Sequence, residues 1–121
     1  MREGLADPAV SMLVADDGGA LAGFVGCGSS RDPDASPEAG EVRSLFVAAG
    51  RWRGGVGRAL MDAALAELGE RGYSFATVWS FADNERANRF YEASGFERDG
   101  GQRREPVWAD ILEVRYRRAL P

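Results

Sequence analysis

The chain has 121 residues, of which 45% are hydrophobic and 28% are charged, as is typical of one small globular domain. Because it contains no histidine and its fifteen basic residues are all arginine, histidine-based catalytic triads, histidine-rich metal sites and lysine Schiff bases are excluded. Its single cysteine, Cys27, can form neither an internal disulfide nor a cysteine zinc site, and we expect it in the core.

Charge is distributed unevenly along the chain. Residues 1–41 hold two Arg and eight acidic residues (net −6), and residues 42–121 hold thirteen Arg and eleven acidic residues (net +2), which together give the net charge of −4. Between Val42 and Met61 there are four Arg and no acid. An acidic chain disfavours nucleic acid as a partner, whereas a local basic segment suits a small polyanion.

Nothing in the sequence indicates a membrane protein. No run of about 18 apolar residues is present, and the polar segment after Met1 lacks the apolar stretch of a signal peptide. We therefore expect no membrane partner and a cytoplasmic location.

The first predicted elements form a β-hairpin. Two apolar runs, Met12–Ala15 and Leu21–Gly28, flank the turn sequence of residues 16–19. Residues 1–11 precede this pattern, and the polar residues 29–40, with two prolines, predict a loop. One domain is expected over residues 1–121.

The centre of the chain predicts a strand, a glycine-rich turn and a helix. Glu41–Val47 is the strand, with Val42, Ser44 and Phe46 expected on one face and Glu41, Arg43, Leu45 and Val47 on the other. The turn spans residues 48–55, and an apolar stripe predicts a helix from Val56 to Arg71.

Such a turn, opening directly into a helix, is suited to bind phosphate. Backbone N–H groups and the positive end of the helix dipole face the same ligand. The amides concerned are those of Gly54, Gly55, Val56, Gly57 and Arg58, and Arg51, Arg53 and Arg58 add charge. Without a Cβ, Gly55 and Gly57 allow close approach of a phosphate. The alternative is a plain connection whose arginines lie in solvent.

The second half predicts a parallel strand and a second helix. Phe75–Phe81 is apolar on both faces, as in a central strand, and completes a right-handed βαβ unit. Asp83 or Asn84 caps the next helix, which ends at Gly95. A brief strand over Phe96–Asp99 and a last strand near Val107–Arg117 follow.

With these elements in order, the chain resembles the GNAT superfamily of acetyl-coenzyme A-dependent N-acetyltransferases over about residues 12–116. Three segments carry the resemblance: LFVAAGRWRGGVGRAL, NERANRFYEASGFERDG and ILEVRYRR. The resemblance implies an α/β (α+β) fold, a mixed twisted sheet with helices on both faces. Trp52 stands where the family usually has Arg or Gln.

The resemblance also implies site residues. The cosubstrate would be acetyl-coenzyme A, without a metal, its pantetheine arm would pair with the backbone of Leu45, Phe46 and Val47, and its pyrophosphate would lie on the turn from Arg53 to Arg58. Asn84 would hydrogen-bond the cofactor, although a plain helix cap explains it equally well.

Two residues are expected to act in catalysis. By resemblance Tyr91 would protonate the departing thiolate, for which a phenol is suited; packing in the core is the alternative. Glu41 would act as the base toward the attacking amine, the alternative being a strand-end residue that pairs with Arg43 or faces solvent. The acceptor would be a small-molecule or protein amine, and family members are often homodimers.

The short segment before the hairpin leaves two functions open. Full members of the family carry an additional strand and one or two helices there, so residues 1–11 are interpreted as a remnant of an acceptor-side helix and residues 12–121 as the acetyl-coenzyme A-binding core. The chain is then either an N-acetyltransferase or a non-catalytic coenzyme A-binding or interaction module. A dinucleotide-binding enzyme fits poorly, because no acidic residue ends the second strand of the unit.

Overall fold

The computed structural model of the chain describes residues 2–3, 10–51 and 54–121. In these residues seven strands and two α-helices follow one another as β1 (Arg2–Glu3), β2 (Val10–Asp17), β3 (Ala20–Ser29), β4 (Ala39–Val47), α1 (Val56–Glu70), β5 (Phe75–Phe81), α2 (Glu85–Ala93), β6 (Glu97–Arg104) and β7 (Leu112–Ala119). Short 3₁₀ turns lie at Ala49–Arg51 and Pro106–Trp108.

All the described strands belong to one mixed sheet, in the order β1-β2-β3-β4-β5-β7-β6. The pair of β4 and β5 is parallel and is linked by α1, whereas the other neighbouring pairs are antiparallel. The predicted βαβ unit and mixed sheet are therefore confirmed. The predicted hairpin is present as β2 and β3, which turn at Gly18 and Gly19, both with positive φ angles.

Strands β4 and β5 are paired only where they begin. Their register joins Ala39–Glu41 to Phe75–Thr77 and stops there, so the later part of β4 diverges from β5. A gap opens through the middle of the sheet, and the edge of β4 that faces it has no β5 partner. Unpaired strand edges are sites where an extended ligand can add its own hydrogen bonds.

The predicted alternation of side chains along β4 is interrupted near Arg43, so the faces predicted for the residues after it are wrong. The register between β3 and β4 shifts between Gly26 and Cys27, which places a β-bulge near Arg43. As a result Val42 lies in the core, whereas Ser44 and Phe46 are exposed. The extra residue of a bulge moves the following side chains to the other face, which a strict alternation cannot anticipate.

Both described helices pack on the same face of the sheet. Gly40 lies directly under Leu68 of α1, since a Cβ there would be 3.1 Å from the leucine side chain, and Ala76 is beside Gly40 in the sheet. Farther along β5 on that face, Ser80 is hydrogen-bonded to Asn88 of α2. Within the described residues the opposite face carries no helix.

The core lies between α1 and the sheet. It contains the fully buried Cys27, as expected, and the apolar stripe of α1; the other members are Val25, Val42, Ala76, Val78, Phe96, Val114 and Tyr116. The stripe consists of Leu60, Met61, Ala64, Leu65 and Leu68, as the spacing predicts. Neither helix among the described residues is long and apolar enough to cross a membrane.

The ends of the chain differ most from the sequence predictions. Residues 2–3 form a strand paired with β2, and Val10 and Ser11 belong to β2, so these residues are not part of a helix remnant; residues 4–9 lie outside the described residues. Strand β6 continues through Gly100 and Gly101 to Arg104, with a register shift in place of the expected turn.

Candidate active site

A cleft of about 620 Å³ lies between the end of β4 and the first turns of α1 and α2. Its lining combines an apolar strand end with glycines, arginines and a tyrosine: Leu45, Val47, Arg51, Gly55, Gly57, Arg58, Asn84, Arg86, Ala87, Phe90 and Tyr91. We call it the helix cleft. It contains most of the residues that the sequence assigned to the cofactor.

The glycine-rich turn places free amides at one end of the helix cleft. Gly55 caps α1 with a left-handed φ of 84°, and the first hydrogen bond of the helical pattern runs from the Ala59 amide to the Gly55 carbonyl, at 3.0 Å. The amides of Val56, Gly57 and Arg58 precede that bond, so no helical carbonyl is available to them. Together with the helix dipole they form a site for an anion.

The two glycines expected to admit a phosphate differ in their surroundings. A Cβ at Gly55 would have no neighbour within 4 Å, so this glycine borders open space. A Cβ at Gly57 would lie 3.4 Å from the Phe90 ring and 3.5 Å from Val47. Gly57 therefore also allows α1 to approach α2 and β4 closely, a packing role that the motif alone did not reveal.

Three arginines line the helix cleft: Arg51, Arg58 and Arg86. Arg58 is largely exposed and lies 3.4 Å from Asp62 on the next turn of α1. Arg86 was missed by the sequence analysis, although its position two residues after the Asn84 cap places it at the N-terminal end of α2. Arg53, predicted as a cofactor ligand, and Trp52 lie outside the described residues.

Asn84 caps α2, as predicted. Its side-chain oxygen accepts a hydrogen bond of 3.2 Å from the Ala87 amide, which satisfies one of the free donors of the first turn. The same side chain lines the helix cleft. The cap is thus confirmed, and its contact with a cofactor stays a prediction that this position allows.

Tyr91 lies at the inner end of the helix cleft among aromatic rings. Its ring centroid is 5.7 Å from that of Phe90, 5.9 Å from that of Tyr116 and 6.2 Å from that of Phe96. Burial raises the pKa of its phenol above the ordinary value of 10.0. The phenol therefore keeps its proton at neutral pH and is available as a donor.

A second cavity, of about 380 Å³, occupies the gap between β4 and β5. We call it the gap cavity. Its lining includes Leu45, Asn84, Ala87 and Tyr91, which also line the helix cleft. The other lining residues are Val42, Arg43, Ser44, Val78, Trp79, Ser80, Phe81, Arg103, Trp108 and Glu113. The two cavities therefore meet beside Tyr91, where the sheet is open.

Glu41 lies outside the lining of both cavities. It is 2% exposed, and its carboxylate is held by Arg31, through guanidinium contacts of 3.0 and 3.3 Å and a backbone N–H bond of 3.0 Å. The sequence analysis offered two alternatives to a catalytic Glu41, pairing with Arg43 or exposure to solvent. In the structure its carboxylate pairs with Arg31 instead. Because the loop after β3 brings this arginine back to β4, the pairing depends on tertiary structure.

Three other predicted residues do not line the helix cleft: Phe46, Gly54 and Val56. Phe46 stacks on Phe24 with ring centroids 5.4 Å apart. The Gly54 amide donates to the Arg51 carbonyl at 3.2 Å, so it is occupied within the turn. Val56 packs against the core, which leaves only its backbone amide for a ligand.

Glu113 and Trp108 are lining residues of the gap cavity that the sequence analysis missed. Glu113 belongs to β7, next to β5, where it stands opposite Phe81. An acidic residue in an otherwise alternating strand gives no signal by itself. Only the order of the strands, with β7 beside β5, places its side chain at the gap.

Comparisons with known proteins identify the family to which the chain is similar. The model of the acetyltransferase (GNAT) family matches residues 1–96. The chain is 41% identical over 91 residues to mycothiol acetyltransferase of Beutenbergia cavernae, an alignment that covers 74% of this chain but 29% of that protein. The chain therefore spans less than a third of this relative.

Solved structures show the same fold. A GNAT-family acetyltransferase from Desulfovibrio desulfuricans superposes with a TM-score of 0.79 at 20% identity, covering 93% of this chain and 71% of the other. The PaiA N-acetyltransferase of Thermoplasma acidophilum, solved in complex with coenzyme A, superposes with a TM-score of 0.74 at 15% identity, covering 92% of this chain and 61% of the other.

Proposed function

The chain belongs to the acetyltransferase (GNAT) family, and from this premise we propose that it binds acetyl-coenzyme A and transfers the acetyl group to a primary amine. The observation that carries the proposal is the meeting of two cavities beside Tyr91. The helix cleft has the anion site that a pyrophosphate needs. The gap cavity, between β4 and β5, also extends to Tyr91. Two substrates can thus meet at one phenol.

The helix cleft is the proposed cofactor site. The pyrophosphate takes the N-terminus of α1, where the amides of Val56, Gly57 and Arg58 point out of the helix. Arg51, Arg58 and Arg86 supply the positive charge. The pantetheine arm adds itself to the unpaired edge of β4, along the backbone of Leu45–Val47, so Phe46 takes part through its backbone alone.

The gap cavity is the proposed acceptor site. With the thioester beside Leu45 and Tyr91, an amine in the gap cavity attacks the carbonyl carbon directly. Tyr91 donates its proton to the departing sulfur, which its raised pKa allows. Cys27 is unsuited as a covalent carrier, since it is fully buried and its sulfur faces the Ala64 carbonyl of α1 at 4.0 Å.

One observation favours a second candidate, a coenzyme A-binding interaction module without catalysis. The segment between β6 and β7 exposes apolar side chains, with Val107 78%, Trp108 52% and Ile111 49% accessible. Exposed apolar residues that lie together often mark a surface for another protein. In this reading the gap cavity is covered by a partner instead of receiving an amine.

The decisive experiment is calorimetric titration of the folded chain with acetyl-coenzyme A and with coenzyme A, followed by a thiol-release assay with a panel of primary amines. Binding with turnover supports the acetyltransferase. Binding without turnover for any amine supports the interaction module. Absence of binding by a chain that circular dichroism shows to be folded would refute both.

A further inference from the structure

The carboxylate of Glu113 is buried with one oxygen unused. The residue is 3% exposed, and its Oε2 accepts a hydrogen bond of 2.8 Å from Nε of Arg103. Its Oε1 has no hydrogen-bond partner among the described residues. Leaving a buried polar atom unpaired is costly and uncommon in native proteins. An unpaired carboxylate oxygen on a residue that lines a cavity is therefore a candidate partner for a donor bound there.

The gap cavity offers a location for that donor. Glu113 and Tyr91 both line it, so a group bound to Glu113 shares one cavity with the proposed acid. The wall also carries Phe81 and Trp108, whose rings meet edge to face with centroids 5.9 Å apart. Trp108 is 52% exposed, so its ring is reachable from solvent. A buried carboxylate and an aromatic wall in the same cavity suit an amine attached to an apolar group.

Glu113 belongs to a network of ion pairs. Arg103 and Arg115 are surrounded by five carboxylates, those of Asp32, Asp34, Asp99, Glu105 and Glu113. Of these charged residues only Arg103 and Glu113 line the gap cavity, together with Arg43, whereas Asp32, Asp34, Asp99 and Arg115 line a separate pocket. Glu113 is the only acidic residue among the described residues of this lining, so it is the group there that can pair with an ammonium ion.

We propose that Glu113 is the residue that binds the ammonium group of the acceptor and removes its proton before attack. The inference rests on the proposed acetyl transfer and identifies the acceptor as a primary amine that carries an apolar or aromatic group. It also assigns to Glu113 the role that the sequence analysis gave to Glu41, whose carboxylate is already occupied by Arg31.

The proton balance of this reaction closes. Glu113 takes one proton from the ammonium, and the freed nitrogen lone pair forms a bond to the acetyl carbon. The C–S bond then breaks with its electron pair on sulfur, which takes the proton of Tyr91. The nitrogen loses a second proton as the amide forms and thereby restores the Tyr91 phenol, and Glu113 releases its proton to water.

The test uses 2-phenylethylamine as the probe and 2-phenylethanol as its neutral counterpart. Each is titrated into the coenzyme A-loaded chain, with tryptophan fluorescence as the readout, because Trp79 and Trp108 line the gap cavity. Glu113→Gln keeps the shape of the side chain but removes its charge. We expect it to weaken binding of the amine at least about tenfold and to leave binding of the alcohol unchanged.

Glu105→Gln is the matched control. Glu105 also approaches Arg103, at 3.8 Å, but does not line the gap cavity. We expect its effect on amine binding to stay below about threefold. In a thiol-release assay with the same amine, Glu113→Gln should raise KM for the amine and lower kcat, with KM for acetyl-coenzyme A unchanged. Glu113→Asp should restore part of the activity.

Two results would overturn the inference. One is equal affinity of the wild type and Glu113→Gln for 2-phenylethylamine, and the other is a wild type that binds coenzyme A but not this amine. Failure of the folded wild type to bind acetyl-coenzyme A would instead refute the proposed function. Since acetyl-coenzyme A is titrated separately, the two failures are distinguishable.

Discussion

The side chains of Ser80 and Asn88 form a buried hydrogen bond, 2.6 Å from Oγ to Oδ1, that fastens α2 to β5. The Asn88 amide group also donates to the Ala82 carbonyl at 3.1 Å, at the end of the same strand. Tyr91 follows Asn88 by one helical turn. The position of the proposed acid therefore depends on a polar contact between a helix and the strand that borders the gap cavity.

We expect Asn88→Ala to lower the free energy of unfolding by about 1–3 kcal/mol, because the Ser80 hydroxyl then loses its buried partner. Urea denaturation measures the change. The double variant Ser80→Ala/Asn88→Ala should be destabilised by less than the sum of the two single variants, since neither group is then left unpaired. Additive losses would mean that the hydrogen bond contributes nothing.

Tyr91→Phe should slow acetyl transfer by about 10²-fold or more, because the departing thiolate loses its proton donor. Binding of acetyl-coenzyme A, measured by calorimetry, should change little, since the ring is retained. The loss should be greatest with weakly reactive amines. A variant that turns over every acceptor at the wild-type rate would exclude the role as acid.

Gly55→Ala should weaken binding of acetyl-coenzyme A at least about tenfold, because its Cβ enters the space proposed for the pyrophosphate. Gly72→Ala is the control: Gly72 follows the other end of α1, has a φ of 92° and likewise has no neighbour within 4 Å. Both variants should lose about 1–2 kcal/mol of stability through strain at positive φ. Equal affinities in calorimetry would show that the turn does not bind the cofactor.

Arg86→Gln should raise the Kd for coenzyme A and reduce the dependence of binding on salt, because one positive charge is removed from the helix cleft. Arg89→Gln tests for a general effect of charge, since Arg89 is on the same helix, is 80% exposed and does not line the cleft. If both substitutions change the Kd equally, Arg86 makes no specific contact.

Stability should decrease at alkaline pH partly through Tyr91. Burial raises its pKa above 10.0 in the folded chain, whereas in the unfolded chain it ionises near that value. Between the two pKa values the folded state binds more protons, so the stabilisation is present below pH 10.0 and is lost as the pH rises. Denaturation of the wild type should show a steeper loss of stability than Tyr91→Phe as the pH rises through and above 10.0. If the stabilities of the two proteins decreased in parallel with pH, the raised pKa of Tyr91 would be contradicted.

Local patterns determined much of the fold. The apolar stripe of α1, the buried strand Phe75–Phe81 and the Asn84 cap are each present as predicted. Periodicity and capping act over a few residues, so neighbours along the chain contain the whole signal. The same holds for the glycine-rich turn, whose positive φ at Gly55 reflects a backbone that only glycine adopts readily.

Tertiary structure determined which groups contact the acidic side chains of the sheet. Arg31 reaches Glu41 across ten residues, and Glu113 stands beside the gap because β7 pairs with β5. The bulge near Arg43 and the divergence of β4 from β5 likewise depend on partners distant in sequence. The sequence by itself determined the glycine-rich turn and the helix that carries Tyr91. Contacts between remote segments decided which carboxylate lies at the gap cavity, because strand order and register set the neighbours of a side chain and leave no local pattern.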